Sequence, residues 1–193
     1  MKPPASTTLL LTAFLLAGAC RAGAQPIDAA KLQQLLQSAP ARVLRFQESR
    51  ESPWLAAPIE SRGRMQASAT VLEKIVEQPR RETWRILPDR LERLAPDATE
   101  PARLMYSEAP AVAALGRTLR HMVAGDLRAL DQDFHLALGG DQQLWTVRLT
   151  PRRPELARFL KELEMQGSGS SLRAIVVLEA QGERTTTRLT HEP

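Results

Sequence analysis

The chain has 193 residues, a formal net charge of +4 at neutral pH, and aromatic side chains at only 4% of its positions. Its arginines alternate with glutamates, as in ESRESP and EQPRRE, and few aromatic residues are present to stack on bases. These features argue against a nucleic-acid-binding groove, and the length suits one domain.

The first 24 residues have the pattern of a secretory signal. Lys2 gives a positive start, LLLTAFLL at 9–16 is a short apolar run, and Ala22-Gly23-Ala24 fits a small-residue cleavage site. The apolar run is too short to span about 30 Å of hydrocarbon as a helix. We therefore expect residues 25–193 to form one exported domain.

Cys20 is the only cysteine of the chain. A lipoprotein signal with Cys20 as the lipidated first residue is the alternative to cleavage after Ala24, but Leu16 stands one position too far from the cysteine for the usual pattern. With cleavage after Ala24 the mature chain has no cysteine and therefore no disulfide. The loss of Lys2 and Arg21 also lowers the net charge from +4 to +2.

The mature chain alternates helical and strand patterns. A first helix is predicted from Asp28 to just before Pro40, because Leu32, Leu35 and Leu36 share one face. Alternation with a period of two then predicts ten antiparallel strands. They are ARVLRFQES, IESRGRMQA, TVLEKIVEQ, RETWRIL and ARLMYS, and, after a second helix, DFHLALGG, QLWTVRLTP, FLKELEMQG, LRAIVVLEA and RTTTRLT.

The second helix is predicted from Ala109 to Ala124. Its apolar row consists of Val112, Leu115, Leu119 and Met122, and Gly125 is expected to end it. Turns are expected at Gly139 to Asp141, in GSGSS, and at Gln181 to Glu183.

So many strands in one alternating sheet cannot stay flat, because strand twist accumulates and large sheets curl or close. We therefore expect a mainly β (α+β) fold, in which a half-open, curled antiparallel barrel of about ten strands has two amphipathic helices as lid or plug. The apolar side chains predicted to face the interior, and to bind an apolar ligand there, are Leu44, Phe46, Trp84, Ile86, Leu104, Tyr106, Phe134, Leu136, Trp145, Val147, Leu149, Val176 and Leu178. A register error of one residue in any of these strands would move its predicted inward side chains to the outer face.

The order of residues over almost the whole mature chain resembles the LolA-like group of bacterial periplasmic carriers. The resemblance is carried by Phe46-x-Glu48, Leu55, Pro58, Gly63, Leu72, Pro79 and Glu82, then by MVAGD at 122–126, Phe134, Gly139, Trp145, Leu149, Pro151 and GSSLRAIVVLEAQGERT. It implies a half-open barrel under a helical lid that carries the acyl chains of a cargo from a membrane transporter to an outer-membrane acceptor.

One region departs from that pattern. The LolA carriers of lipoproteins have a basic residue and proline followed by aromatic residues where this chain reads VLEKIVEQPRRETW, and the arginine linked to lid closure has no counterpart here. The cargo is therefore left open between a lipoprotein and a glycolipid. The predicted lid residues are Val112, Leu115, Leu119 and Met122, which cover the mouth of the sheet and shield Trp145 and Phe134.

No catalytic or metal-binding set is predicted. His121, His135 and His191 lie on different predicted elements, and Asp126, Asp131 and Asp133 are expected in turns or helix caps. GSGSS is expected to be a hairpin turn, since it lies between two strands. We expect a monomer without cofactor, metal or catalytic activity. The alternative is a structural or sensory periplasmic domain of the same fold with a filled interior, and a hydrolase with unseen catalytic residues is a third hypothesis.

Overall fold

The computed structural model describes residues 26–38, 43–68 and 70–191. The predicted signal segment, with Cys20, and Pro40 at the predicted end of the first helix lie outside these residues. No helix in the described ranges is long and apolar enough to cross a membrane.

The described chain contains one antiparallel sheet of eleven strands. They are β1 (Leu44–Glu51), β2 (Ile59–Ala67), β3 (Leu72–Gln78), β4 (Glu82–Ile86), β5 (Arg90–Leu94), β6 (Ala102–Met105), β7 (Phe134–Gly140), β8 (Trp145–Pro151), β9 (Leu160–Ser168), β10 (Ser171–Glu179) and β11 (Arg184–His191). The spatial order is β6-β5-β4-β3-β2-β1-β11-β10-β9-β8-β7. The first and last strands therefore pair at the centre, and β6 and β7 are the free edges of an unclosed sheet.

Four helices accompany the sheet: α1 (Ala29–Ser38), α2 (Pro110–Ala124), α3 (Leu127–Asp133) and α4 (Pro154–Ala157). The two predicted helices correspond to α1 and α2. Gly125 ends α2 in the left-handed conformation (φ 69°), and its N–H bonds the carbonyls of His121 and Met122. Asp126 then caps α3 by accepting from the N–H of Ala129 at 3.1 Å. Helices α3 and α4 were not predicted because they span only two turns and one turn, too short for a periodic pattern.

The eleventh strand, β5, was also missed. Its sequence RLERL has three charged residues in five and lacks the regular alternation of apolar and polar residues that predicts a strand. Leu91 nevertheless pairs with Leu104 on one side and Ile86 on the other. The guanidinium of Arg93 lies 5.3 Å from the Trp84 ring centroid, so an arginine occupies an inward position through a cation–π contact.

Directly paired residues of an antiparallel sheet project to the same face. Phe46 pairs with Leu189 and Gly63, and the residues in line with them form the apolar interior. We call this side the inner face. Its fully buried large side chains include Phe46, Leu72, Phe134, Trp145, Val147, Leu149, Leu163 and Met165. The inner face is thus the side on which the core lies, as the curled-sheet argument predicts.

The helices divide the inner face between them. Helix α2 contacts β2, β4 and β5, whereas α3 contacts β7 and α4 contacts β8 and β9. Thr118 and His121 of α2 line one small pocket together with Phe134, and the predicted shielding of Trp145 by α2 stays a prediction. Phe134 and Trp145 lie on β7 and β8, next to the short helices α3 and α4 that the sequence pattern did not reveal.

The predicted inward position of Val176 and Leu178 is wrong. A register shift lies between Leu172 and Ala174, so Arg173 is an extra residue that reverses the alternation of β10. Ile175 pairs with Met165 and Val177 with Leu163, which places these two on the inner face. Val176 and Leu178 project from the outer face.

Candidate functional site: an apolar cavity under helix α2

A cavity of about 180 Å³ lies between α2 and the inner face. We call it the inner cavity. Its apolar wall is formed by Leu115, Leu119 and Val123 of α2 and, from the sheet, by Met65, Leu72, Ile86, Ile175 and Val177. An empty apolar cavity of about 150 Å³ in another protein holds a benzene molecule. The inner cavity as it stands therefore fits about six carbon atoms of an apolar chain.

Polar residues form the rest of the wall. The ammonium group of Lys74 donates to both carboxylate oxygens of Glu48, at 2.6 and 2.8 Å, and lies 4.7 Å from the Phe46 ring centroid. The hydroxyl of Thr187 donates to the same carboxylate at 2.7 Å. Register places both side chains on the inner face, because Glu48 is opposite Thr187 and Lys74 is opposite Met65, and the long lysine side chain reaches across β2 to Glu48. The charges are matched, so this wall offers hydrogen bonding without a free charge.

The polar wall continues to Glu179 and Thr185 at the β10–β11 turn. Burial raises the pKa of Glu179 above the usual 4.5, and repulsion by Glu183 raises it further. The hydrogen bond from Arg50, at 2.9 Å, lowers the pKa of the Glu183 carboxyl. Glu179 is therefore the cavity-lining carboxyl that accepts a proton more readily than usual.

Helix α2 packs closely over the cavity because it has a small residue at its contact with the sheet. A Cβ atom on Gly116 would lie 2.6 Å from the Tyr106 hydroxyl oxygen and 3.1 Å from a methyl group of Ile86. Arg120 donates to the carbonyl of Thr70 at 3.1 Å. Within the described ranges, helix α2 is therefore held by side-chain packing and by the Arg120–Thr70 hydrogen bond, while every strand beneath it is held by a backbone ladder.

Only part of the predicted ligand-binding set lines the inner cavity. Ile86 does so, together with the predicted lid residues Leu115 and Leu119. Met122 is fully buried in the core, and Val112 is half-buried away from the cavity. The other predicted inward residues, apart from Val176 and Leu178, lie on the inner face but do not form the cavity wall: Leu44, Phe46, Trp84, Leu104, Tyr106, Phe134, Leu136, Trp145, Val147 and Leu149.

Trp145 shows why an inward aromatic residue need not line a cavity. Its side chain is fully buried, and its indole N–H donates to the carbonyl of Gly169 at 2.9 Å. The ring lies across Gly167, where an added Cβ would come within 2.1 Å of it. Trp145 is thus a core residue of the β8–β9 half.

A larger groove of about 430 Å³ lies on the outer face. Its wall includes Arg62, Gln47 and Arg188, and Gln47 pairs directly with both arginines. An acyl chain in this groove would be in contact with solvated guanidinium groups and would lose little contact with water. The inner cavity is the better apolar site despite its smaller volume.

No cluster of three or more potential metal-ligating side chains occurs in the described ranges. Asp131 is paired with Arg152 at 2.9 Å, and Asp133 is paired with Arg153. His121 lies 3.4 Å from Asp126, the cap of α3. These carboxylates therefore have structural partners.

The family model described as "Outer membrane lipoprotein carrier protein LolA-like" matches residues 16–192. Two solved structures are distantly similar. One is a LolA superfamily protein from Nitrosomonas europaea, with 12% identity over 84% of this chain and 89% of that chain and a TM-score of 0.45. The other is a DUF1329 family protein from Desulfovibrio piger, with 6% identity over 84% of this chain and 88% of that chain and a TM-score of 0.38. No curated protein matches this sequence.

Proposed function

Because the chain belongs to the LolA-like family of outer membrane lipoprotein carrier proteins, we propose that it is a periplasmic carrier that holds an acyl chain in the inner cavity. The cargo is a lipoprotein or a glycolipid, received from a membrane transporter and passed toward the outer membrane. The protein acts as a monomer without cofactor or catalysis. The observation that supports the proposal is the apolar cavity between α2 and the inner face.

The size of the cavity suits reversible binding. Burial of a methylene group stabilises binding by about 0.8 kcal/mol, so about six buried carbons give roughly 5 kcal/mol before the costs of association. Even before those costs are subtracted, roughly 5 kcal/mol corresponds to a dissociation constant of only about 0.2 mM, so binding to the cavity as it stands is weak enough for release to an acceptor. A longer chain needs more room than 180 Å³, and α2 is the element that can move to provide it.

The test is to place charge on the cavity face of α2. Replacing Leu115 and Leu119 together by aspartate should abolish fatty-acid binding, because a buried carboxylate without a partner carries a large desolvation cost. A displacement assay with a fluorescent fatty acid measures this. The matched control is the double change Val112→Asp and Ala124→Asp on the same helix, at positions outside the cavity wall, and it should still bind. Thermal melts are recorded for both variants.

Unchanged fatty-acid binding by a folded Leu115→Asp, Leu119→Asp variant would contradict the proposal. Mass spectrometry of lipid extracted from the wild-type protein then identifies the cargo class. Acyl chains attached to a peptide, without phosphate or sugar, indicate a lipoprotein. Acyl chains attached to a sugar indicate a glycolipid.

A further inference from the structure

Large apolar side chains are exposed at one end of the sheet. Trp54 and Leu55, in the loop between β1 and β2, are 77% and 42% exposed, and Ile59 at the start of β2 is 49% exposed. Phe159, between α4 and β9, is 58% exposed. We call these four residues the apolar rim. Exposed aromatic and aliphatic side chains gathered in one place mark a contact surface more often than singly scattered ones do.

The backbone brings the three loops of this end together. The N–H of Ala180 donates to the carbonyl of Phe159 at 3.0 Å, which joins the β10–β11 turn to the start of β9. A Cβ on Gly182 would lie 3.4 Å from Pro53, so the same turn touches the β1–β2 loop. Strand β2, which begins with Ile59, and strand β9, which follows Phe159, are four strand intervals apart, about 19 Å. The apolar rim therefore extends over about 19 Å of one sheet end.

The apolar rim is continuous with the inner cavity. Ile59 is paired with Arg50, and Arg50 is paired with Thr185, so the three side chains form one row across the inner face. Thr185 lines the inner cavity. An acyl chain leaving the cavity along this row passes the methylene groups of Arg50, whose guanidinium is paired with Glu183. It then reaches Ile59 and the loop that carries Trp54 and Leu55.

We propose that the apolar rim inserts into the interfacial layer of a lipid bilayer and that acyl chains enter and leave the inner cavity there, an inference that rests on the proposed carrier function. Tryptophan and phenylalanine beside arginines are the side chains that favour the boundary between acyl chains and headgroups. Arg158 and Arg184 are exposed at this end, and their long side chains can reach headgroup phosphates. Glu51 lies opposite Arg184 in the β1–β11 pair, and Glu183 is paired with Arg50 at 2.9 Å, so this end carries charges of both signs, which suits a zwitterionic surface.

The test is co-sedimentation of the protein with phosphatidylcholine vesicles. We expect the vesicle partition coefficient of the Trp54→Ser, Leu55→Ser variant to fall about tenfold or more, because the variant lacks two apolar side chains whose transfer from water into the bilayer stabilises binding. Leu144→Ser is the matched control. Leu144 is 69% exposed but lies in the β7–β8 turn at the opposite end of the sheet, so its loss should leave partition unchanged.

Tryptophan fluorescence gives a second measurement that does not depend on the variant folding well. Vesicles with bromine-labelled acyl chains should quench the wild-type protein, and more than the Trp54→Ser, Leu55→Ser variant, since Trp54 is exposed, Trp84 is half-buried on the inner face and Trp145 is fully buried. Absence of vesicle binding, or equal binding by the Trp54→Ser, Leu55→Ser variant, overturns the inference. If vesicles bind but fatty-acid displacement fails, the carrier function is wrong; if displacement succeeds without vesicle binding, only the membrane-contacting rim is wrong.

Discussion

At the scale of single residues, the β8–β9 half of the sheet depends on one glycine. The indole of Trp145 fills the space over Gly167, and the carbonyl oxygen of Ser171 is also within 2.4 Å of where a Cβ would stand. A backbone oxygen cannot rotate away as a side chain can. The tight contact with Trp145 is the physical reason that a strand rich in apolar residues carries a glycine at this position.

We predict that Gly167→Ala destabilises the protein by about 1–3 kcal/mol, the usual cost of forcing extra volume into a packed core. The control is Gly139→Ala on β7, where the nearest atom to the new Cβ is the Thr146 hydroxyl at 3.0 Å, which can move by rotation. That variant should be close to wild type. Urea denaturation of both variants measures the difference, and equal midpoints would show that the Trp145 ring is not fixed against Gly167.

At the scale of elements, strand and helix patterns predicted most of the fold and less of the site. Period-two alternation located ten of the eleven strands, and helical spacing of apolar residues located both long helices, because each of these elements has one face in the core and one in water. Alternation cannot reveal a bulge. Arg173 adds one residue to β10, and the sequence LRAIVVLEA reads equally well with Ile175 and Val177 inside or outside.

The polar wall of the inner cavity was not predicted for a related reason. Glu48 and Lys74 are far apart in sequence and each looks like a solvated strand residue. They meet only because β1 pairs with both β2 and β11 and because β3 follows β2 in the sheet. The periodic spacing of acidic and basic residues on neighbouring strands is a usable signal only after the strand order is known.

The register of β10 gives a prediction that compares two adjacent valines. Val176 and Val177 are buried to nearly the same extent, at 8% and 9% exposure, but only Val177 lines the inner cavity. Val177→Asp should abolish fatty-acid binding, whereas Val176→Asp should retain it in the folded fraction, because its carboxylate points to the outer face. Displacement titrations normalised to folded protein check this. Loss of binding by Val176→Asp alone would place the bulge elsewhere.

At the scale of the whole molecule, the chain order explains how an unclosed sheet can have a movable cover. Strands β6 and β7 are the two free edges, and α2 and α3 connect them. The connection must cross the inner face from one edge to the other. Gln33 of α1 accepts from the N–H groups of Leu127 and Arg128, at 2.7 and 3.2 Å, and so fixes the start of α3. Helix α2 lies on the other side of Gly125, and its hydrogen bond to another segment is an exposed one, from the Arg120 side chain to the carbonyl of Thr70.

This arrangement predicts separate opening of α2 in native-state hydrogen exchange. Local opening free energies in one protein range from near zero to the full free energy of unfolding, and elements without a backbone ladder to the core open first. The opening free energy measured at the amides of α2 should be lower than that of β1, β10 and β11, which hold the centre of the sheet. A fatty acid at ten times its dissociation constant should slow exchange in α2 by roughly tenfold, because it binds the closed form. Exchange of α2 together with the central strands, unchanged by fatty acid, would instead mean that α2 is a permanent part of the core and that chains enter by another route.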